Sequence, residues 1–165
     1  CTQAKLDQFN IPMMNSNGGD ELGTPFATSI DAIEGATTGM SVNDRLATIK
    51  TFLSDESEPK SLAQPGHLFP LRARVGLLTE RRGHTEGSIE IIRLAGLKEV
   101  GVIIEIMDEF GKMIKGEALK QFAKIYNLTF VSIEELYDEV YNKNSSGSVP
   151  LSAVDEETLE AMAKV

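Results

Sequence analysis

The chain has 165 residues, 41% of them hydrophobic, which is one domain's worth of polypeptide with enough apolar material for a core. Its formal net charge of −9 and pI near 4.7 argue against nucleic acid or an anionic membrane as partners, because either would demand a basic surface. No apolar stretch is long enough to span a bilayer and no charged-then-apolar leader opens the chain, so no membrane partner and a cytoplasmic setting are expected. The single cysteine, Cys1, excludes an internal disulfide and any multi-thiolate metal site. The opening "CTQAKLDQFN" has no initiator methionine, and the expectation is that the numbering starts inside a longer translated polypeptide.

In chain order the pattern is mixed α and β, with strands and helices alternating as in a layered αβ architecture. "AKLDQF" suits a short helix, "NSNGGDELGT" a turn-rich loop, and "FATSID" (Phe26 to Asp31) alternates like a strand. "SVNDRLATIKTFL" opens with Ser41 and Asp44 in capping-box spacing, which predicts a helix start. "DESEPKSLAQPG" is polar and proline-marked, hence a loop, and "HLFPLRA" follows as a strand interrupted by Pro70. "VGVIIEIM" (Val100 to Met107) is the clearest strand, a nearly continuous apolar run whose sole charge is Glu105. After the "DEFG" turn, "EALKQFAKIY" is an amphipathic helix ending near Asn127 and "LTFVS" a strand. Ser132 with Glu135 then caps "IEELYDEVY". Residues 1–141 thus form the domain, and 142–165 a linker, "NKNSSGSVP", followed by an acidic terminal helix.

The densest chemistry lies in "RRGHTEGSIEIIRLAGL", Arg81 to Leu97. Ile89, Ile92 and Ala95 recur beside Ile91 and Leu94, and Gly96 followed by Leu97 stops the helix, so the polar cluster sits at a helix N-terminus. Backbone N–H groups there lack intrahelical partners and carry partial positive charge, so Arg81, Arg82, Gly83 and Thr85 form a seat for an anion. The competing reading makes Thr85 an N-cap and the arginines solvated surface. His84, wedged between a glycine and Thr85, suits metal binding or proton transfer.

The ordered blocks "QPGHLFPLRA", "RRGHTEG" and "LAGLKEVGVIIEIMDEFGKM", with "IPMM", "LGTPF" and "TTGMSVNDRLATI" upstream, resemble 3,4-dihydroxy-2-butanone 4-phosphate synthase of riboflavin biosynthesis. The resemblance covers the chain to about Tyr141 and implies that family's α+β sandwich, N-terminally incomplete here. It implies a lyase that converts D-ribulose 5-phosphate to 3,4-dihydroxy-2-butanone 4-phosphate and formate with magnesium (or manganese), acting as a homodimer whose site lies at the subunit interface. Carried over by position, Arg81, Thr85 and Thr38 would hold the phosphate, His84 would bind metal, Glu105 would be an acid/base residue, and His67 would reach the site. A carboxylate on an apolar strand is hard to ionise, which suits Glu105 to proton transfer; the alternative is a strand-end carboxylate that is merely paired.

The chain departs from the family pattern in places. Nothing in it matches the family's acidic loop of the type "DDEDRENEGD", whose carboxylates complete the magnesium site; Asp20 with Glu21, and Asp55 with Glu56 and Glu58, lie elsewhere in the pattern. The expectation is therefore that these residues alone give little synthase activity. "NGGDELGTPFAT" carries Leu22, Pro25 and Ala27 at altered positions, and "KMIK" (Lys112 to Lys115) stands where "TMAR" is common. Two other functions stay open: a related sugar-phosphate lyase of a specialised pathway, and a noncatalytic phosphate-binding or interaction domain on the same fold.

Overall fold

The computed structural model describes residues 1–15 and 24–142. Most of the "NSNGGDELGT" loop, and the linker and terminal helix expected beyond residue 142, lie outside the described residues. The described chain is α+β. In order it runs α1 (Gln3–Gln8), β1 (Ile30–Ala32), α2 (Val42–Leu53), β2 (Leu62–Leu68), α3 (His84–Leu94), α4 (Gly116–Ile125) and α5 (Ile133–Tyr137). One-turn 3-10 segments at Pro59–Ser61 and Leu77–Thr79 precede β2 and α3.

The helices form where local signals specify them. The Ser41 hydroxyl accepts from the Asp44 amide, and the Asp44 carboxylate accepts from the Ser41 amide, closing the capping box of α2. Ser132 and Glu135 do the same for α5. Gly96, at φ +66, takes the left-handed turn after α3, where a residue with a Cβ would be strained.

β1 and β2 pair antiparallel, Ile30 with Leu68, Asp31 with Ala63 and Ala32 with Leu62, with a register shift between Ile30 and Asp31. This corrects the loop expected over "SLAQPG": β2 begins at Leu62 and runs through Pro65. A proline is tolerated because residues 64–67 bulge past the shift, so its missing N–H leaves no ladder bond unmade. The strand read over "FATSID" contracts to isolated bridges, Phe26 with Leu71 and Ala27 with Met13, followed by β1. "HLFPLRA" contributes only the end of β2 and that Leu71 bridge, with Pro70 between.

The larger correction concerns Val100 to Met107 and "LTFVS", neither of which is a strand. A strand needs a partner, and none of the described residues supplies one. Val102 and Ile104 are 66% and 88% exposed. Only Met107 bridges, to Met113 across the "DEFG" turn, which Asp108 closes by accepting from the amides of Phe110 and Lys112.

Two apolar clusters position the site. α2 packs on the β1–β2 ribbon, where Phe9, Ile11, Ala27, Ile30, Phe52 and Leu62 form the main core, and Phe9 meets Phe52 at 5.2 Å between ring centroids. Ala73, Leu77 and Ile89 form the second, under α3. α3 also packs on α5: a Cβ at Gly87 would lie 2.7 Å from Ile133 Cδ1, so that side chain would have to shift, and the Arg82 guanidinium lies 3.9 Å from the centre of the Tyr137 ring.

Candidate functional site

The "QPGH" stretch is built around one carboxylate. Gly66 lies flush against β1, since a Cβ there would fall 2.2 Å from the Ile30 carbonyl carbon, and its amide donates to Ser29 Oγ at 3.1 Å. That contact delivers His67 to Asp31. The His67 amide donates to Asp31 Oδ1 at 3.0 Å, and His67 Nδ1 lies 2.6 Å from Asp31 Oδ2. A carboxylate accepts only, so Nδ1 carries the hydrogen and Nε2 is the nitrogen left for chemistry.

A second loop closes over this pair. Gly39, at φ +78, is pressed so near that a Cβ would meet Asp31 Oδ2 at 2.1 Å and His67 Nδ1 at 2.5 Å. Thr38, exposed, is its neighbour. The loop is anchored by buried Asp44, whose carboxylate accepts from the Thr37 amide at 3.0 Å and from the Thr37 hydroxyl. The Thr37 amide bond, opposed by burial and aided by the Thr37 and Ser41 groups, holds the Asp44 carboxyl below its ordinary value of 3.8. Thr48 ties α2 to β1, donating to the Asp44 carbonyl and accepting from the Ala32 amide.

At the start of α3 the cap is Gly83, in extended backbone, and no side chain caps the helix. Thr85 is the second helical residue and buried, so it is not an N-cap. His84 is exposed at the first position. Arg81 folds back across Gly83 to Glu86, Nη1 to Oε2 at 2.8 Å, and so is not freely solvated. The other Glu86 oxygen accepts from the Arg74 amide at 3.0 Å.

A cavity of about 340 Å³ joins the two ends: His67 and Arg45 line one part, Thr85 and Ser88 another. Phe26, Phe52 and Val100 to Ile103 are part of its largely apolar remainder. Arg81, His84, Thr38 and Glu105 do not line it. Arg81 and His84 flank Thr85 in sequence and Thr38 adjoins the Asp31–His67 pair, whereas Glu105 is brought to none of these residues. It is solvent-exposed on an unpaired segment, so the apolar strand that was to make it hard to ionise is absent.

Asp31 and Glu86 were missed as partners in the sequence. Asp31 is the terminal residue of an alternating segment, and Glu86 sits inside the quoted "HTEG"; an arginine and a glutamate five apart across a glycine at a helix start is the signal for the second.

Known proteins resemble this chain in sequence and in fold. The family model for 3,4-dihydroxy-2-butanone 4-phosphate synthase matches residues 1–139. The chain is 42% identical over 135 residues to the 3,4-dihydroxy-2-butanone 4-phosphate synthase of Edwardsiella ictaluri, covering 82% of this chain and 62% of that protein. It therefore spans a little under two thirds of that relative's length. The crystal structure of the Candida albicans synthase superimposes with a TM-score of 0.77 at 34% identity, covering 84% of this chain and 68% of that one. A structure of a synthase in complex with two magnesium ions gives 0.77 at 29% identity, covering 87% and 72%. By the span of that match and the identity to these relatives, the chain belongs to the 3,4-dihydroxy-2-butanone 4-phosphate synthase family.

Proposed function

We propose that this chain carries the sugar-phosphate-binding and proton-transfer part of the conversion of D-ribulose 5-phosphate to 3,4-dihydroxy-2-butanone 4-phosphate and formate. The observation that carries the reading is the shared cavity, which places the Asp31-oriented imidazole of His67 and the buried Thr85 of the α3 N-terminus on one wall system. The phosphate sits against Arg81, Thr85 and the uncapped first amides of α3, where hydrogen bonds and the helix dipole favour an anion. Thr38, on the loop that closes over Asp31 and His67, holds the same phosphate in this reading. His67 takes and returns protons through Nε2 while Asp31 fixes the ring and its tautomer. Glu105 is the second acid/base group of this reading.

A synthase structure in complex with two magnesium ions supports a divalent metal; in this reading manganese is its substitute and His84 the ligand from this chain. Among the described residues no three histidine, cysteine, aspartate or glutamate side chains converge to hold a metal. One imidazole does not fit an ion that prefers several oxygens in octahedral geometry, so no step is derived through it.

A homodimer in which His67 serves a shared site belongs to the same reading, supported by the apolar side chains exposed between Val102 and Val131. So does a cytoplasmic setting; no helix among the described residues is long and apolar enough to cross a membrane. No feature described above favours a noncatalytic binding domain or a lyase of a specialised pathway. The test is formate release from ribulose 5-phosphate with magnesium present, measured on this chain joined to an upstream segment that carries the family's acidic loop. His67→Gln is expected to lower it about a thousandfold, as removal of a positioned general base does; formate release unchanged by that substitution contradicts the assignment.

A further inference from the structure

We infer that Glu86 is a positioning residue for phosphate recognition, acting through Arg81. This rests on the reading of Arg81 as a phosphate contact. Glu86 is 0% exposed, which is exceptional for a carboxylate unless it is paired. Both its oxygens are used: Oε2 accepts from Arg81 Nη1 at 2.8 Å and Oε1 from the Arg74 amide at 3.0 Å. The second bond fixes the carboxylate to the backbone entering the Leu77–Thr79 turn, and the first fixes the guanidinium to the carboxylate.

Gly83 completes the clamp. A Cβ at that position would lie 2.0 Å from Arg81 Nη1, 2.8 Å from Arg81 Cζ and 2.8 Å from Glu86 Oε2, so the guanidinium rests directly on the glycine that caps α3. The arginine, the glycine and the glutamate of "RRGHTE" are thus one device that holds a planar, charged fork beside the open amides of the helix start. Glu86 engages only Nη1, and a guanidinium has five N–H donors, so donors remain for an anion.

An acidic residue in the first turn also suits the helix dipole, but that effect needs neither complete burial nor an arginine. Glu86 brings a negative charge near the phosphate as well, and repulsion alone would make its removal tighten binding. Positioning predicts the opposite, because a released arginine loses its fixed aim and must be ordered again on binding.

Glutamine cannot replace the carboxylate here, since one of its two ends would set an amide N–H against a donor already present. The test is a binding cycle on the 165-residue chain: wild type, Arg81→Ala, Glu86→Gln and the double variant. Each is titrated with ribulose 5-phosphate and with inorganic phosphate, with unphosphorylated ribulose as control and thermal melting as the check on folding. Glu86→Gln is expected to weaken both phosphate ligands about tenfold when Arg81 is present and less than about twofold when Arg81 is alanine. Binding of ribulose itself is expected to stay the same.

Equal losses in both backgrounds, no loss, or tighter binding in Glu86→Gln overturn the inference alone. No phosphate binding by the wild type, or binding unchanged in Arg81→Ala, removes the anion seat and the inference with it. If Glu86→Gln does not fold, Gly83→Ala carries the test, because the extended backbone at Gly83 accepts alanine while the added methyl displaces the guanidinium. It is expected to weaken phosphate binding about tenfold with Arg81 present and not in the Arg81→Ala background; equal effects in both, or none, overturn it.

Discussion

Residues 1–94 and residues 100–131 obey the same hydrophobic patterning and meet different fates. In the first region the described residues close in two cores, from Phe9 and Phe52 under the ribbon to Ile89 under α3, with Val42 and Val75 among those left outside, and the buried charges Asp44 and Glu86 have partners. In the second, Val102, Ile104, Phe110, Ile125 and Phe130 face outward, and the strongest strand pattern of the chain pairs, among the described residues, only through the Met107 bridge to Met113. An apolar run states what a segment needs, not what it receives. A helix satisfies its own amides, so α4 forms with only Ala123 buried, whereas the Val100 to Met107 run cannot become a strand among the described residues.

The comparison is tested most strongly by paired truncations. Ile89→Ala is expected to cost about 2–5 kcal/mol in stability, because a fully buried side chain leaves a cavity; Ile104→Ala, on the open segment, is expected to leave the melting temperature unchanged where the chain is monomeric. A large loss in Ile104→Ala would show that this segment is covered in solution.

Asp31→Asn comes next. It keeps the shape of the ribbon but removes the carboxylate that sets the His67 tautomer, and formate release is expected to fall about a hundredfold with little change in melting temperature. The corresponding substitution in the open region, Glu105→Gln, asks whether an exposed carboxylate there shares the chemistry. An equally deep loss of formate release is expected if it is the second acid/base group, and an unchanged rate would remove it from the mechanism.

Capping gives a smaller effect of the same kind. Ser41→Ala is expected to cost about 1 kcal/mol, read from chemical denaturation, and to loosen the loop that carries Thr38 and Gly39. Asp44 anchors that loop, and its folded-state value lies below the ordinary 3.8. Its stabilising contribution is therefore present above pH 3.8 and lost as pH falls through the lower folded value. Asp44→Asn is expected to flatten that acid dependence in pH-resolved melting.

The smallest effect is alkaline. Burial, and then the hydrogen bond to buried Glu90, push Tyr141 up from 10.0 to about 12. Its contribution is whole below pH 10.0 and lost as pH rises towards about 12. Tyr141→Phe is expected to remove a step at about pH 12 from the phenolate absorbance titration.

How much of this was legible in the sequence follows from how local each signal is. Ser41 with Asp44, Ser132 with Glu135, and Gly96 write their helices into a few consecutive residues, and all three helices are there. Strand pairing joins distant segments, so the Asp31 to Ala63 register, the bulge past Pro65 and the lack of a partner for Val100 to Met107 have no local signature. The site divides the same way. "RRGHTEG" announces an anion seat through its helix start, but that Glu86 is buried and also holds the Arg74 amide is a tertiary fact. "PGH" holds no local signal for His67, whose place is fixed by the distant contacts of Gly66 and Asp31.

The account turns on the two polar clusters being halves of one site. Amide chemical shifts followed during titration with ribulose 5-phosphate test this directly. The account predicts that Gly39 and His67, on one side, and His84, Thr85 and Glu86, on the other, shift together with a single midpoint, and that inorganic phosphate moves the α3 group and Thr38 but not His67. Shifts confined to one cluster with the sugar phosphate, or two clusters moving with different midpoints, would contradict it.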